Sequence, residues 1–424
     1  MSEPKSIIAD VPPAPNSGWN ARASLRCVFC GAEAPIGTLP VGCQACDAQP
    51  AAPLEVVYDD AGFEPEDLND AIAHLRQFRQ PIEGSALVSL GRSASTPLVP
   101  VPKLGPDLWV KNETTNATWS HKDRTHEVSV GAARLLGSRG VVASSTGNHG
   151  AAAAAHATKA GLPSLVFCHP DASDIAMLMI RAYGGVVAQL SPDDARQLLS
   201  DVVDDGWFPA TTMDPAVSVK SNPYGAEGYK SIAYEVVEAL QRLPATVLVP
   251  SASGDTLYGV MKGFAEVAEF MGERMPRIVA VQPTGAAPLV LSMEAGHSVR
   301  VDDAKSVALS IADPFTGRHA LIALQRWGGS AVAVTDDSIV AAVKALAAEG
   351  LLVEPASAAG LAGYWDLRDA GQIDTTGPTV LLVTNSGAKW PRELAEEFPG
   401  SALRTSDEVR AELQRKTTLA GGER

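Results

Sequence analysis

From Leu108 onward the chain alternates short β-rich runs with Ala-rich helical segments, and this alternation is what most narrows its fold. Runs such as Leu108-Trp-Val-Lys111, Gly140-Val-Val-Ala143, Ser164-Leu-Val-Phe167, Gly185-Val-Val-Ala188 and Ala245-Thr-Val-Leu-Val249 predict strands. Arg277-Ile-Val-Ala-Val281, Ala331-Val-Ala-Val334 and Thr379-Val-Leu-Leu-Val383 continue the series. Between them lie helical stretches such as Gly150-Ala-Ala-Ala-Ala-Ala-His156 and Ile339–Ala348. Parallel strands need a crossover, and a helix supplies it, so the pattern predicts an α/β protein with doubly wound parallel sheets covered by helices. Ligands of such sheets bind beyond the carboxyl ends of the strands, so loops there are the first places to look for chemistry.

Composition removes several function classes. Lys and Arg number 34 against 49 Asp and Glu, a net charge of −15, which argues against nucleic acid or an anionic membrane surface as partner. The first residues, MSEPKSIIADVPPAPNSG, lack the apolar core of a signal peptide, and no run reaches the length of a membrane span. A cytoplasmic protein is the expectation, acting on a small molecule and assembling as a homo-oligomer, most simply a dimer.

Three loops at strand ends carry reactive side chains. Lys122 stands on a polar turn, Asn116-Ala-Thr-Trp-Ser-His-Lys-Asp-Arg-Thr125, just before a helical pattern. Ser144-Ser-Thr-Gly-Asn-His-Gly150 joins a strand to a helix, and its small residues leave backbone N–H groups open to an anion such as a carboxylate. Pro250-Ser-Ala-Ser-Gly-Asp-Thr256 offers hydroxyls and N–H groups at another helix start, suited to a phosphate monoester. An amine, a phosphate cradle and an asparagine loop together are what a pyridoxal phosphate (PLP) Schiff-base site needs. A further loop, Leu382-Val-Thr-Asn-Ser-Gly387, ends the last strand.

The stretch Glu113–Arg124 resembles the ENxTGSFKDR-type signature of the threonine synthase and serine/threonine dehydratase family, PLP enzymes of fold type II. The three other loops follow in that family's order, and the resemblance spans roughly residues 24 to 395. It implies Lys122 as the Schiff-base lysine and general base, and Asn148 against the phenolic oxygen of PLP. It implies Ser251, Ala252, Ser253, Gly254, Asp255 and Thr256 around the phosphate, with the Asp255 carboxylate turned away from it. Thr384 would meet the pyridine nitrogen; a hydroxyl there moderates the ring as an electron sink and favours elimination and replacement over transamination. Ser145, Thr146 and Gly147 would hold the substrate α-carboxylate, with His149 beside them. Glu354-Pro-Ala-Ser-Ala-Ala359 would shape the pocket wall.

The chain departs from the signature at four places. Trp119 and His121 stand where the family has Gly and Phe, and the family's RxEGQKT segment aligns with Gly225-Ala-Glu-Gly-Tyr-Lys-Ser231, so Gly225 replaces the arginine and Tyr229 the glutamine. O-phosphohomoserine is therefore expected to be a poor substrate, with room beside Gly225 for a different side chain. The resulting expectation is a threonine synthase-like lyase acting on a small amino acid by β- or γ-elimination or replacement. The alternatives are an authentic threonine synthase, an ammonia-lyase or dehydratase, and a catalytically inactive sensor of the same fold.

Four of the five cysteines form Cys27-Val-Phe-Cys30 and Cys43-Gln-Ala-Cys46, twelve residues apart on Gly-rich turns. Two such knuckles suit a tetrahedral structural Zn²⁺, with paired reduced thiols as the alternative, and family members carry a comparable ribbon here. Cys168, after an apolar run, is expected to be an inert core thiol. The expected organisation is a flexible arm over 1–22, a zinc-ribbon-like module over 23–58 and a large PLP-binding domain from 59–129 and 221–400. A small mobile domain over 130–220 and a C-terminal tail over 401–424 complete it.

Overall fold

A computed structural model describes residues 18–37, 42–46, 51–59, 63–91, 95–145, 147–216, 221–399 and 405–412. The expected arm lies almost wholly outside these residues, as does most of the tail. Near the N-terminus β1 (Ala23–Cys27), β2 (Glu33–Pro35) and β3 (Leu54–Tyr58) form an antiparallel sheet in the order β2-β1-β3. The helix Leu68–Phe78 follows, with Ile72 and Leu75 buried on one face; the Asp67 carboxylate caps it, accepting from the Asp70 N–H at 2.9 Å.

The next two strands, β4 (Leu98–Pro100) and β5 (Leu108–Asn112), begin a large sheet, which the chain then leaves. It builds a second, wholly parallel sheet from β6 (Val141–Ser145), β7 (Ser164–Cys168), β8 (Val186–Ala188) and the two-residue β9 (Phe208–Pro209), in the order β8-β7-β6-β9. Returning, it adds β10 (Thr246–Pro250), β11 (Arg277–Pro283), β12 (Ser330–Val334) and β13 (Thr379–Val383), which order the large sheet β12-β11-β10-β13-β5-β4. All eight strands expected from the β-rich runs are present, and only β4 pairs antiparallel in the large sheet. β4 and β9 escaped the pattern because they are two or three residues long and end in proline, which removes a ladder donor.

The centre of the large sheet is apolar on both faces. Val247, Leu248 and Val249 of β10 are all buried, one face under the helices Lys230–Leu240 and Asp255–Met271 and the other under the helix Pro355–Asp369. Burying such side chains on both faces contributes about 1.5–3 kcal/mol each, and it explains why the strand reads as an unbroken hydrophobic run. Cys168 ends β7 as a buried thiol that burial pushes up to about 11, which fits the inert role. Among the described residues no helix is long and apolar enough to cross a membrane. A separate unit begins at Pro391 and carries the helix Pro391–Glu397.

Candidate active site

Strand order decides which loops meet. β10, β13 and β5 are neighbours running the same way, so the loop after β10, Thr384 after β13 and the turn that leads from β5 to Lys122 emerge side by side. The Lys122 turn is tied directly to the loop after β13. The His121 N–H donates to the Thr384 carbonyl at 2.8 Å, the Ser386 N–H to the Trp119 carbonyl at 3.0 Å, and the Ser120 hydroxyl to the Asn385 amide oxygen. Trp119 holds a left-handed backbone (φ 59°), which explains glycine at this position in the family signature. A side chain in that conformation costs about 1–2 kcal/mol.

Beneath the turn lies a closed ion network. Arg124, two residues after Lys122, bonds Glu113 through Nε and Nη2 at 2.5 and 2.7 Å, and Glu235 through Nη1 and Nη2 at 2.8 and 2.7 Å. Lys111 of β5 donates to Glu235 at 2.6 Å and to the Thr96 carbonyl at 2.6 Å. All four charged groups are buried. Burial alone would raise the Glu113 carboxyl, but the Arg124 guanidinium holds it below the usual carboxylate range. Asp123 caps the same turn, accepting from the Thr118 N–H at 2.7 Å and hydroxyl at 2.8 Å, and the buried Lys389 donates to the Thr118 carbonyl at 2.7 Å.

The Lys122 amine itself stands 3.3 Å from the Tyr229 hydroxyl. Two of the departures from the signature stack on each other, since the His121 and Tyr229 rings lie 5.5 Å apart and 29° from parallel. His121 Nδ1 faces the oxygens of Thr384 and Asn385, both at 3.3 Å, and so carries the proton; Nε2 accepts from the Thr256 hydroxyl at 3.1 Å. His121 therefore links the lysine turn to the loop after β10.

In that loop the Ser251 hydroxyl is buried with no hydrogen-bond partner among the described residues. Gly254 begins the helix with φ 105°, and an added Cβ would collide with Ala320. The Asp255 carboxylate turns to the segment after β9, accepting from the Met213 N–H at 2.8 Å, the Thr212 hydroxyl at 3.0 Å and the Ser253 hydroxyl at 2.9 Å. The loop is held from outside by the Thr316 hydroxyl on the Ala252 carbonyl at 3.1 Å and the Gly317 N–H on the Ser253 carbonyl at 2.9 Å.

At the end of β6, Ser145 Oγ accepts the N–H groups of Gly147 and Gly150 at 2.8 and 2.9 Å, with Gly147 at φ 143°. Thr146 lies outside the described residues. Asn148 donates from Nδ2 to Glu354 at 2.8 Å, while its Oδ1 is buried without a partner among the described residues. Glu354, which burial pushes up, also accepts from Asn385 Nδ2 at 2.6 Å. The Thr384 hydroxyl sits 2.8 Å from Ser357 Oγ, where either oxygen can donate, and accepts from Asn385 Nδ2 at 3.1 Å, while Ser357 Oγ also faces the Asn385 carbonyl at 3.1 Å. His149 is engaged at both nitrogens: Nε2 donates to the Ala210 carbonyl at 2.5 Å and Nδ1 accepts from His126 Nε2 at 3.3 Å. The room expected beside Gly225 is not there. A Cβ at 225 would lie 2.6 Å from Thr125 Oγ1 and 2.7 Å from Ser129 Oγ, because the helix Pro223–Gly228 packs directly on the Lys122 helix.

The histidines make a prediction about pH. Burial first, and then neighbouring positive charge, depresses His121 and His126 well below the ordinary value and His149 to about 4. Their unfolded forms titrate near 6.5, so this stability is complete above about 6.5 and is lost as pH falls towards 4, at about 1.4 kcal/mol per unit per histidine. Glu354 and Asp313, the latter raised by burial to about 6, act oppositely at lower pH, but two acids do not offset three histidines. Urea unfolding at stepped pH is expected to show stability declining from just below 6.5; a flat profile down to 5 would contradict these buried neutral imidazoles.

A cavity of about 780 Å³ lies elsewhere, between the N-terminal sheet and the helix Asp255–Met271. Its cations are already paired, Arg26 and Arg326 with Glu55, Lys262 with Glu227 and Arg79 with Glu266 and Glu269, and it holds none of the loops above. The four cysteines are likewise remote from Lys122 in sequence but close to one another: their Sγ atoms all lie within 4.8 Å, with Cys27–Cys46 at 3.9 Å and Cys30–Cys43 at 3.7 Å. Sequence reasoning missed Asp313, Lys389 and the outer clamp at 316–317. Asp313-Pro314 reads as a turn, and Lys389 acts on the site only through a long-range contact.

Comparison with known proteins agrees with this geometry. Residues 91–385 match the family described as pyridoxal-phosphate dependent enzyme. A threonine synthase from Methanosarcina acetivorans is 30% identical over 394 residues, covering 88% of this chain and 93% of the relative. One from Mycobacterium leprae is 33% identical over 313 residues, covering 72% and 84%. Among solved structures, maize serine racemase superposes with a TM-score of 0.61 at 20% identity, over 78% of this chain and 97% of that one. The processed form of threonine deaminase isoform 2 from Solanum lycopersicum gives 0.61 at 21%, over 78% and 94%, and both share the fold type expected from the loops. With a family match over most of its length and a 30% identical relative aligned nearly end to end, the chain belongs to the pyridoxal-phosphate dependent enzymes, as a lyase of the threonine synthase and dehydratase type.

Proposed function

We propose that Lys122 carries PLP and that the chain eliminates or replaces a side-chain substituent of a small amino acid. The observation that carries this reading is the convergence, on three neighbouring strand ends, of the Lys122 amine, the unpartnered buried Ser251 hydroxyl and the buried Thr384 hydroxyl. PLP supplies an electron sink for the carbanion that forms when the substrate's α-proton leaves. The protein's own groups do the rest. The Ser251 hydroxyl and the main-chain N–H groups of the loop and helix start, those of Ser253 and Thr256 included, hold the phosphate, while the Ser253 and Thr256 hydroxyls stay on Asp255 and His121 and the Asp255 carboxylate stays turned to Met213. Asn148 has a second amide proton for the phenolic oxygen, and Thr384 offers its hydroxyl to the ring nitrogen. Ser145, Thr146 and Gly147 are assigned to the α-carboxylate, for which the Ser145 hydroxyl, an acceptor of two N–H groups, keeps its own proton, and His149 is assigned to the same loop. Tyr229 orients the Lys122 amine, which takes the α-proton as general base.

We infer also that Cys27, Cys30, Cys43 and Cys46 hold one structural Zn²⁺. A Zn–S bond of about 2.3 Å makes the edge of a tetrahedron about 3.8 Å, close to the two sulfur separations given above.

Borohydride reduction followed by peptide mapping tests the main reading. The expected result is a pyridoxyl group on Lys122 that Lys122→Ala removes. A group fixed on another lysine would reject the assignment.

A further inference from the structure

We propose that Asp313 is the specificity-determining residue of the site, the carboxylate that receives the side-chain ammonium of a diamino-acid substrate. This inference rests on the reading of Lys122 as the PLP lysine. Asp313 lies midway along a segment that walls the site. At one end the turn Leu309–Ile311 packs on the helix Pro355–Asp369, whose first residues include Ser357, the partner of Thr384. At the other end Thr316 and Gly317 clamp the carbonyls of Ala252 and Ser253. Between them the backbone is fixed by the Val301 N–H on the Pro314 carbonyl at 2.7 Å and by the bridge from Arg300 to Phe315. Asp313 is thus held rigidly between the groups assigned to the ring nitrogen and those assigned to the phosphate.

The other carboxylates around the site are all committed. Glu354 accepts from Asn148 and Asn385, Asp255 from Met213, Thr212 and Ser253, Asp123 from Thr118, and Glu113 from Arg124. Among the described residues Asp313 alone of these takes no hydrogen bond. It is half-buried, and the charges that act on it are Lys122, which favours its ionised form, and Asp255, which opposes it. A cation arriving on the substrate favours the ionised form of Asp313, as Lys122 does, against the opposition of Asp255.

An anionic side chain meets the reverse situation. Gly225 supplies no guanidinium, Arg124 is closed between two carboxylates, and Lys389 is bound to the Thr118 carbonyl. A phosphorylated side chain would face Asp313 with no cation to offset it. A side-chain ammonium also carries the proton that its departure requires, so a carboxylate that simply holds it suffices.

The test is a titration of the holoenzyme with 2,3-diaminopropionate, serine and O-phosphohomoserine, reading apparent Kd from the visible absorption of the bound cofactor. Wild-type protein is expected to bind the diamino acid about tenfold or more tighter than serine, the size of one charge-assisted contact. Asp313→Asn should abolish that preference while moving serine by less than about threefold, and should improve O-phosphohomoserine. A wild-type enzyme with no preference for the diamino acid, or an Asp313→Asn enzyme that keeps it, would overturn the proposal. The wild-type ranking needs no variant, so an unstable Asp313→Asn does not protect the idea. A missing pyridoxyl adduct on Lys122 would remove the cofactor reading and this proposal together; an intact adduct without the preference removes this one alone.

Discussion

Arg124→Ala is expected to lower the stability of the fold by about 3–5 kcal/mol, as removal of one partner from a buried ion network generally does. The guanidinium closes on both Glu113 and Glu235, and Lys111 alone would remain to face two buried carboxylates. One of them would have to take up a proton or draw in water. Arg124→Lys should restore little, because a single ammonium cannot bond two carboxylates through a planar fork. Because Arg124 lies in the first turn of the Lys122 helix, the loss should reach the site as well, seen as weaker cofactor retention before global unfolding. Urea denaturation is the measurement, and a change below about 1 kcal/mol would mean that the network contributes little beyond its own desolvation penalty.

The second large effect is expected from metal removal. The N-terminal sheet has three short strands and a small core, and a module of that size depends on a staple when it folds. Zinc affinity is folding free energy in such a module, on the order of ten kcal/mol for isolated zinc peptides, so a chelator should open residues 23–58 to protease and lower the unfolding midpoint. The visible absorption of the cofactor should change much less, because the cysteines take no part in the Lys122 loops. The contact between the two regions is mechanical: Tyr58 donates to Glu227 at 2.6 Å, and Lys262 donates to the Val56 carbonyl and to Glu227, both at 2.5 Å. Metal analysis of protein prepared without chelators should find one zinc per chain; finding none would remove the premise.

How far the sequence could be read follows from the range of each interaction. β10 and β13 were legible because burial on both faces leaves an uninterrupted Val/Leu run, and the loops that hold the candidates Asn148 and Thr384 because each follows directly on a strand end. What local pattern could not supply is which loops touch. The His121–Tyr229 stack joins positions 108 residues apart, and it makes two separate departures from the family signature into one contact. The same limit explains the error at Gly225. A missing side chain in a sequence suggests space, whereas helix packing has closed that space with Thr125 and Ser129. Asp313 was invisible for a related reason, since an Asp-Pro pair is ordinary turn chemistry until its neighbours are known.

Trp119 offers an optical reporter for the proposed Lys122 site. Its left-handed backbone turns a large indole outwards, 43% exposed, three positions along the chain from the lysine amine. Tryptophan emits in the near ultraviolet, so with the cofactor on Lys122, as proposed, light taken up by this indole would pass to the chromophore instead of being re-emitted. Loading and release of the cofactor can then be followed in real time from protein fluorescence, with Trp119→Phe separating this signal from the other six tryptophans of the chain.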